Sequence, residues 1–188
     1  MASGFPSPSC SSMQDKKAVI FCSASYKIDP KYNQVARKVI RAACLHGYGI
    51  VSGGTVKGTM GVICDEAAKY GVPVEGVLPK FMKGLEHPSL TSLKWTERMS
   101  ERKDAMREGT CLAIALPGGI GTIDELIETM TLAKLGKYPG RLVAFNIDGF
   151  YNPLKAMLDH FVETGMLEQK DRDLMAFPET VEELEALL

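Results

Sequence analysis

The stretch Pro117-Gly118-Gly119-Ile120-Gly121-Thr122-Ile123-Asp124-Glu125 holds the residue types best suited to chemistry. The apolar run 112–116 before it is too short for a buried helix and reads as a strand. After it, Ile123, Leu126, Ile127, Met130 and Ala133 recur at helical spacing. Strand, glycine turn and helix N-terminus follow one another. Three glycines allow positive φ and let backbone N–H groups approach a ligand closely. The open amides and dipole of a helix start favour an anion there. Asp124 and Glu125 are expected in the first helical turn, where acids stabilise the dipole by ~0.3–1 kcal/mol. Neighbours on a helix point roughly 100° apart, so the two cannot act as one facing dyad. Glu125 falls away from the apolar stripe and is free to face a crevice. A carboxylate beside a bound phosphate needs a cation, and Met99-Ser100-Glu101-Arg102-Lys103 supplies one. Arg102 offers a bidentate fork that Lys103 does not match. A phosphate cradle with acid–base groups attached points to a phosphorylated small molecule.

These residues must be held by a scaffold. Short apolar runs at 18–22, 48–51, 74–78, 112–116 and 141–147 read as strands. Between them, helical patterns start at Pro30, Gly58 and Glu97 and open with Ile123 after the glycine turn, and another follows around Pro153, where a missing N–H does no harm. Residues 80–94 read as a long loop. A last amphipathic helix is expected over 180–188, with Thr180 and Glu183 as a capping box. Strands alternating with helices predict an α/β fold: a Rossmann-like three-layer sandwich with a central parallel sheet flanked by helices. With the five strands in the order 3-2-1-4-5, the ligand crevice lies between the first and fourth. It would be lined by residues 23–25 and 118–125. The glycines fit neither familiar nucleotide fingerprint. No Lys follows Gly121 as a P-loop requires, and the first strand ends in Ser23-Ala24-Ser25 rather than G-x-G-x-x-G.

At 188 residues the chain has room for one sizeable core. We expect a Ser/Pro-rich disordered leader at 1–15 and a single domain at 16–188. A net charge of −1 carries no electrostatic footprint for nucleic acid or anionic membrane. No apolar run approaches a transmembrane span, and the leader lacks a secretory h-region. Five scattered cysteines without a C-x-x-C pair point to reduced thiols and a cytoplasmic setting. Cys22 and Cys111 read as small buried hydrophobes. The three histidines are isolated, so no metal site is expected.

The motif P-G-G-x-G-T-x-x-E at 117–125 and M-x-x-R-K at 99–103 together resemble the LOG ("lonely guy") family of cytokinin-activating phosphoribohydrolases, often mislabelled lysine decarboxylases. The resemblance runs from about residue 18 to 161 and includes Cys22-Ser23-Ala24-Ser25, Gly53-Gly54 and Asp148-Gly149-Phe150-Tyr151-Asn152. It implies a Rossmann-like homodimer that hydrolyses a nucleoside 5′-monophosphate, a cytokinin riboside 5′-monophosphate or AMP, to free base and ribose 5-phosphate. Arg102 and Glu125 carry over as the catalytic pair. Gly118, Gly119, Ile120, Gly121, Thr122, Asp124 and Lys103 carry over as substrate contacts, joined by Ser23, Gly54 and Met99 in the other matching segments. Glu86 stands at the family's distance after Pro79-Lys80 and is a further binding candidate. Ile120 replaces a frequent aromatic, Asp124 a frequent Glu, and the turn after the second strand has a shorter glycine run. These departures bear on base selectivity. No cofactor is required. Decarboxylation would need pyridoxal phosphate on a Schiff-base lysine, and the His-Lys pair common before such a lysine is missing. The stripe Met130, Leu132, Leu135 and Tyr138 reads either as a dimer contact or as core. The rival reading is a non-catalytic nucleotide-binding protein with the same cradle.

Overall fold

A computed structural model describes residues 16–188; the expected leader at 1–15 lies outside them. Seven parallel strands form one sheet: β1 (Lys17–Phe21), β2 (Gly49–Ser52), β3 (Val74–Pro79), β4 (Ser92–Thr96), β5 (Leu112–Ala115), β6 (Arg141–Ala144) and β7 (Met175–Ala176). Their spatial order is β4-β3-β2-β1-β5-β6-β7. The chain therefore builds outward from β1 to one edge, returns beside β1 as β5, and builds outward the other way. The expected order survives as the five central strands.

Two edge strands were not anticipated. The segment 80–94 is a loop only in its first part, because its last residues pair with β3 from Glu75↔Ser92 to Pro79↔Thr96. β4 is polar and only partly covered, as an edge strand is, so it carries no apolar run to betray it. β7 is two residues long.

Helices α1 (Pro30–Leu45), α2 (Gly58–Ala68), α3 (Met99–Arg107), α4 (Ile120–Lys134), α5 (Asn152–Glu163), α6 (Gln169–Arg172) and α7 (Val181–Glu185) complete the fold. Side chains alternate across each strand, and the two central strands show why both sheet faces are covered. Ala18 and Ile20 of β1, with Leu112 and Ile114 of β5, pack with Val39, Ile40, Ile63 and Leu184 of α1, α2 and α7. Val19, Phe21, Ala113 and Ala115 pack on the opposite face with Met106, Leu126 and Leu154 of α3, α4 and α5. The result is the expected three-layer α/β sandwich.

Local rules set the helix ends. The Asp29 carboxylate accepts from the Lys31 N–H at 2.9 Å, Pro30 occupies the first turn, and Gly47 at φ +84° closes α1. At α7, Thr180 Oγ1 accepts from the Glu183 N–H at 3.2 Å, and Glu183 accepts from the Glu179 N–H at 2.7 Å. That helix is shorter than the 180–188 span expected. Of the stripe on and after α4, Met130 and Tyr138 are core residues, Leu132 is half-buried, and only Leu135 is exposed. Cys22, Cys44 and Cys64 are free thiols, whereas Cys111 is disulfide-bonded, so the expectation of reduced thiols holds for those three. Among the described residues no helix is long and apolar enough to cross a membrane.

Candidate active site

The return of the chain from β4 to β5 opens a crevice beside the carboxyl ends of β1, β2 and β5, as the switch-point rule requires. The Phe21↔Ala115 pairing and the Leu116 N–H bond to Phe21 O (2.9 Å) bring the two strand ends level. A cavity of about 530 Å³ sits there.

Its floor is an ion pair. Arg102, on the first turn of α3, donates from Nη1 to Glu125 Oε1 at 2.8 Å and from Nε to Val77 O at 3.0 Å. Both side chains are about nine-tenths buried. Room for the guanidinium comes from Gly53. A Cβ there would strike Arg102 and lie 2.6 Å from Met60 Sδ. Burial raises the Glu125 carboxyl above the ordinary glutamate range, and Arg102 only partly opposes this. A carboxylate so placed is a better proton acceptor than a solvated one.

The opposite wall is the start of α4. Its N-cap is Gly119, no side chain caps the helix, and no acid lies in its first turn. The first amides of a helix have no intrahelical acceptor, so those of this turn are left to a ligand. Asp124 and Glu125 belong to the second turn, because the helix starts at Ile120 rather than later. Dipole stabilisation therefore does not account for them, and their cationic partners do. Lys103 bonds Glu128 (2.9 Å) and Asp124 (3.0 Å). Glu128 and then Asp124 raise the Lys103 ammonium and keep it charged. Burial pushes Glu128 up, but Lys103 and Arg107 together hold it below the usual range.

Nine of the expected residues line the cavity: Ser23, Met99, Arg102, Lys103, Gly119, Gly121, Thr122, Asp124 and Glu125. Four do not. Gly118 packs against Thr122, where a Cβ would lie 2.7 Å from the threonine Cβ, so its glycine identity serves the turn itself. Gly54, at φ +69°, abuts Leu78 and the Gly76 backbone. Ile120 is 87% exposed and faces a neighbouring groove with Ile123 and Ile127. Glu86 bridges to Thr55 and accepts from the Gly84 N–H at 2.6 Å, folding back on its own loop. Those backbone N–H groups, its own first, lower its carboxyl.

Residues not anticipated include Thr55, Lys57 and Met60 after β2 and Met82 after β3. The first three lie just past the Gly53-Gly54 turn, and the same carboxyl-end rule applied to the second and third strands points to all four. Cys22 packs against the core as expected and also lines the cavity. Burial and the nearby Glu125 push its thiol well up, so it stays protonated. Among the described residues no group of three or more His, Cys, Asp or Glu could hold a metal ion.

Fold and site together define a doubly wound α/β protein with a nucleotide-sized crevice at the switch point and a buried Arg–Glu pair beneath it. A family model described as possible lysine decarboxylase matches residues 60–188, and the chain belongs to that family, the LOG family of the sequence resemblance. Its curated relatives carry a different name. It is 32% identical to the cytokinin riboside 5′-monophosphate phosphoribohydrolase of Rhodococcoides fascians, over 84% of this chain and 81% of that one. It is 31% identical to a probable enzyme of the same name from Oryza sativa subsp. japonica, over 90% of this chain and 81% of the other. The molybdenum cofactor carrier protein of Chlamydomonas reinhardtii superposes with a TM-score of 0.69 at 18% identity, over 92% of this chain and 95% of that one, a likeness of fold alone.

Proposed function

We propose that this protein hydrolyses the N-glycosidic bond of a nucleoside 5′-monophosphate, a cytokinin riboside 5′-monophosphate or AMP, releasing free base and ribose 5-phosphate. One observation carries the reading: a buried carboxylate fixed by Arg102 shares one cavity with the uncapped start of its own helix. The phosphate docks on the amides around Gly119, Gly121 and Thr122. Anchoring it away from the reacting bond supplies positioning energy. Breaking the C–N bond leaves positive charge on the ribose ring. Glu125 stabilises that charge and takes a proton from the water whose oxygen bonds to the anomeric carbon, while the departing nitrogen gains a proton from solvent. Arg102 keeps the carboxylate in place. The names of its relatives support the same reaction. Lys103, held protonated by two carboxylates, is poorly suited to the imine that a lysine decarboxylase needs.

The test is direct. Incubation with AMP and with isopentenyladenosine monophosphate should release free base from at least one. Glu125→Gln should cut turnover by about 10²–10⁴-fold while nucleotide binding persists. Full activity in that variant would remove Glu125 from the mechanism. Tight binding without any base release by the unmodified protein would favour a nucleotide carrier.

A further inference from the structure

The strand order fixes how a nucleotide would lie in the cavity. Gly119, Gly121 and Thr122 follow β5, Ser23 follows β1, and Thr55, Lys57 and Met60 follow β2. Adjacent strands are ~4.8 Å apart, so the β5 and β2 ends are roughly 10 Å apart. Arg102 reaches from Val77 O of β3 to Gly53 after β2, and Glu125 meets it from the helix that follows β5. With the phosphate on the β5 side and the anomeric carbon over Glu125, the base falls among the residues that follow β2 and β3.

That end of the cavity has Met60 and Met82 as soft, polarisable surfaces for a flat ring. It also has Lys57. This lysine is half-buried, and among the described residues no ion pair or side-chain hydrogen bond neutralises it. The other two cations of the cavity are both matched, Arg102 by Glu125 and Lys103 by Asp124 and Glu128. Nor is Lys57 on a loose loop. Gly58 holds φ +51° with its α-carbon against the Ala24–Ser25 backbone, where a Cβ would be 2.6 Å away. The Thr59 N–H donates to Ser23 O at 3.0 Å.

We propose that Lys57 is a specificity-determining residue. It selects nucleoside 5′-monophosphates whose base presents hydrogen-bond acceptors at its outer edge over those that carry an apolar substituent there. The proposal rests on the phosphate placement above. An ammonium covered by an alkyl chain loses water and gains no partner, which is costly. The same ammonium against a ring nitrogen or carbonyl oxygen makes a charge-assisted hydrogen bond. The methionines accept either base and do not discriminate.

The test compares AMP with isopentenyladenosine monophosphate on the unmodified protein and on Lys57→Met, which keeps the side-chain length and removes the charge. Readouts are kcat/KM and, independently of turnover, calorimetric Kd. The expected result is a preference of tenfold or more for AMP, which K57M shifts by at least tenfold toward the isopentenyl nucleotide in both readouts. A native preference for the isopentenyl nucleotide would overturn the proposal. So would an equal loss on both nucleotides in K57M, since that would put Lys57 on the phosphate. If neither nucleotide is hydrolysed but the Kd ratio shifts as expected, the hydrolase reading fails and this one stands.

Discussion

Arg102→Met is the sharpest perturbation of the site, because it leaves the Glu125 carboxylate buried without its cation. The two groups touch at 2.8 Å and are each about nine-tenths buried. With charge centres ~4 Å apart and an effective dielectric of about 20, the lost attraction is ~4 kcal/mol. Breaking one partner of a buried pair is known to cost about 3–5 kcal/mol. The Val77 carbonyl also loses its Arg102 donor. Against a total stability of roughly 5–15 kcal/mol the loss is large. Its pH dependence is the diagnostic part. The folded-state pKa of Glu125 is already above its unfolded value through burial, and removing Arg102 takes it further up. A raised carboxyl pKa means that the folded state favours the protonated form. Its stabilising contribution is therefore present at low pH and lost as pH rises through the folded pKa. Urea unfolding followed by circular dichroism should show a deficit in R102M that is larger near pH 8 than near pH 5. The double variant R102M/E125Q should recover much of it. A deficit that does not change with pH, or no deficit at all, would refute the buried-pair argument.

Two further substitutions separate geometry from stability. Gly53→Ala presses a methyl on the buried guanidinium of Arg102 and on the flexible end of Met60. Its melting temperature should fall by less than that of R102M, because the ion pair is displaced rather than removed, while kcat/KM falls tenfold or more. Tyr151→Phe removes the phenol that donates to Leu116 O at 2.7 Å, just before the glycine turn. It should cost about 1–3 kcal/mol, a fall of ~2–12 °C in melting temperature, with a smaller effect on turnover than G53A.

Much of this arrangement was legible in the residues. The alternation of short apolar runs with helical spacing revealed the central strands, since a strand covered on both faces has to be apolar throughout. β4 was not legible, because Ser92-Leu93-Lys94-Trp95-Thr96 is an edge strand whose pairing depends on β3 rather than on its own composition. Arg102 and Glu125 could be singled out from charge and spacing near a glycine turn. What the spacing could not show was the guanidinium threading beneath Gly53, which depends on tertiary approach. Gly118 and Gly54 show the reverse: the fold itself requires a glycine at each, because a Cβ there would strike Thr122 or the Gly76 backbone. Lys57 escaped because it follows an inconspicuous turn, and only the folded sheet brings that turn beside the others.

The cavity wall is assembled from stretches far apart along the polypeptide: the tip of β1, the turn after β2, the head of α3 and the head of α4. No one of them encloses a ligand. A molecule lodged there would tie together three crossovers of the sheet at once, and its binding free energy would be felt as resistance of the whole domain to unfolding. Occupancy should thus be visible to protease or to heat at positions remote from the crevice, and severing the chain between β2 and α3 would leave each fragment with half a pocket.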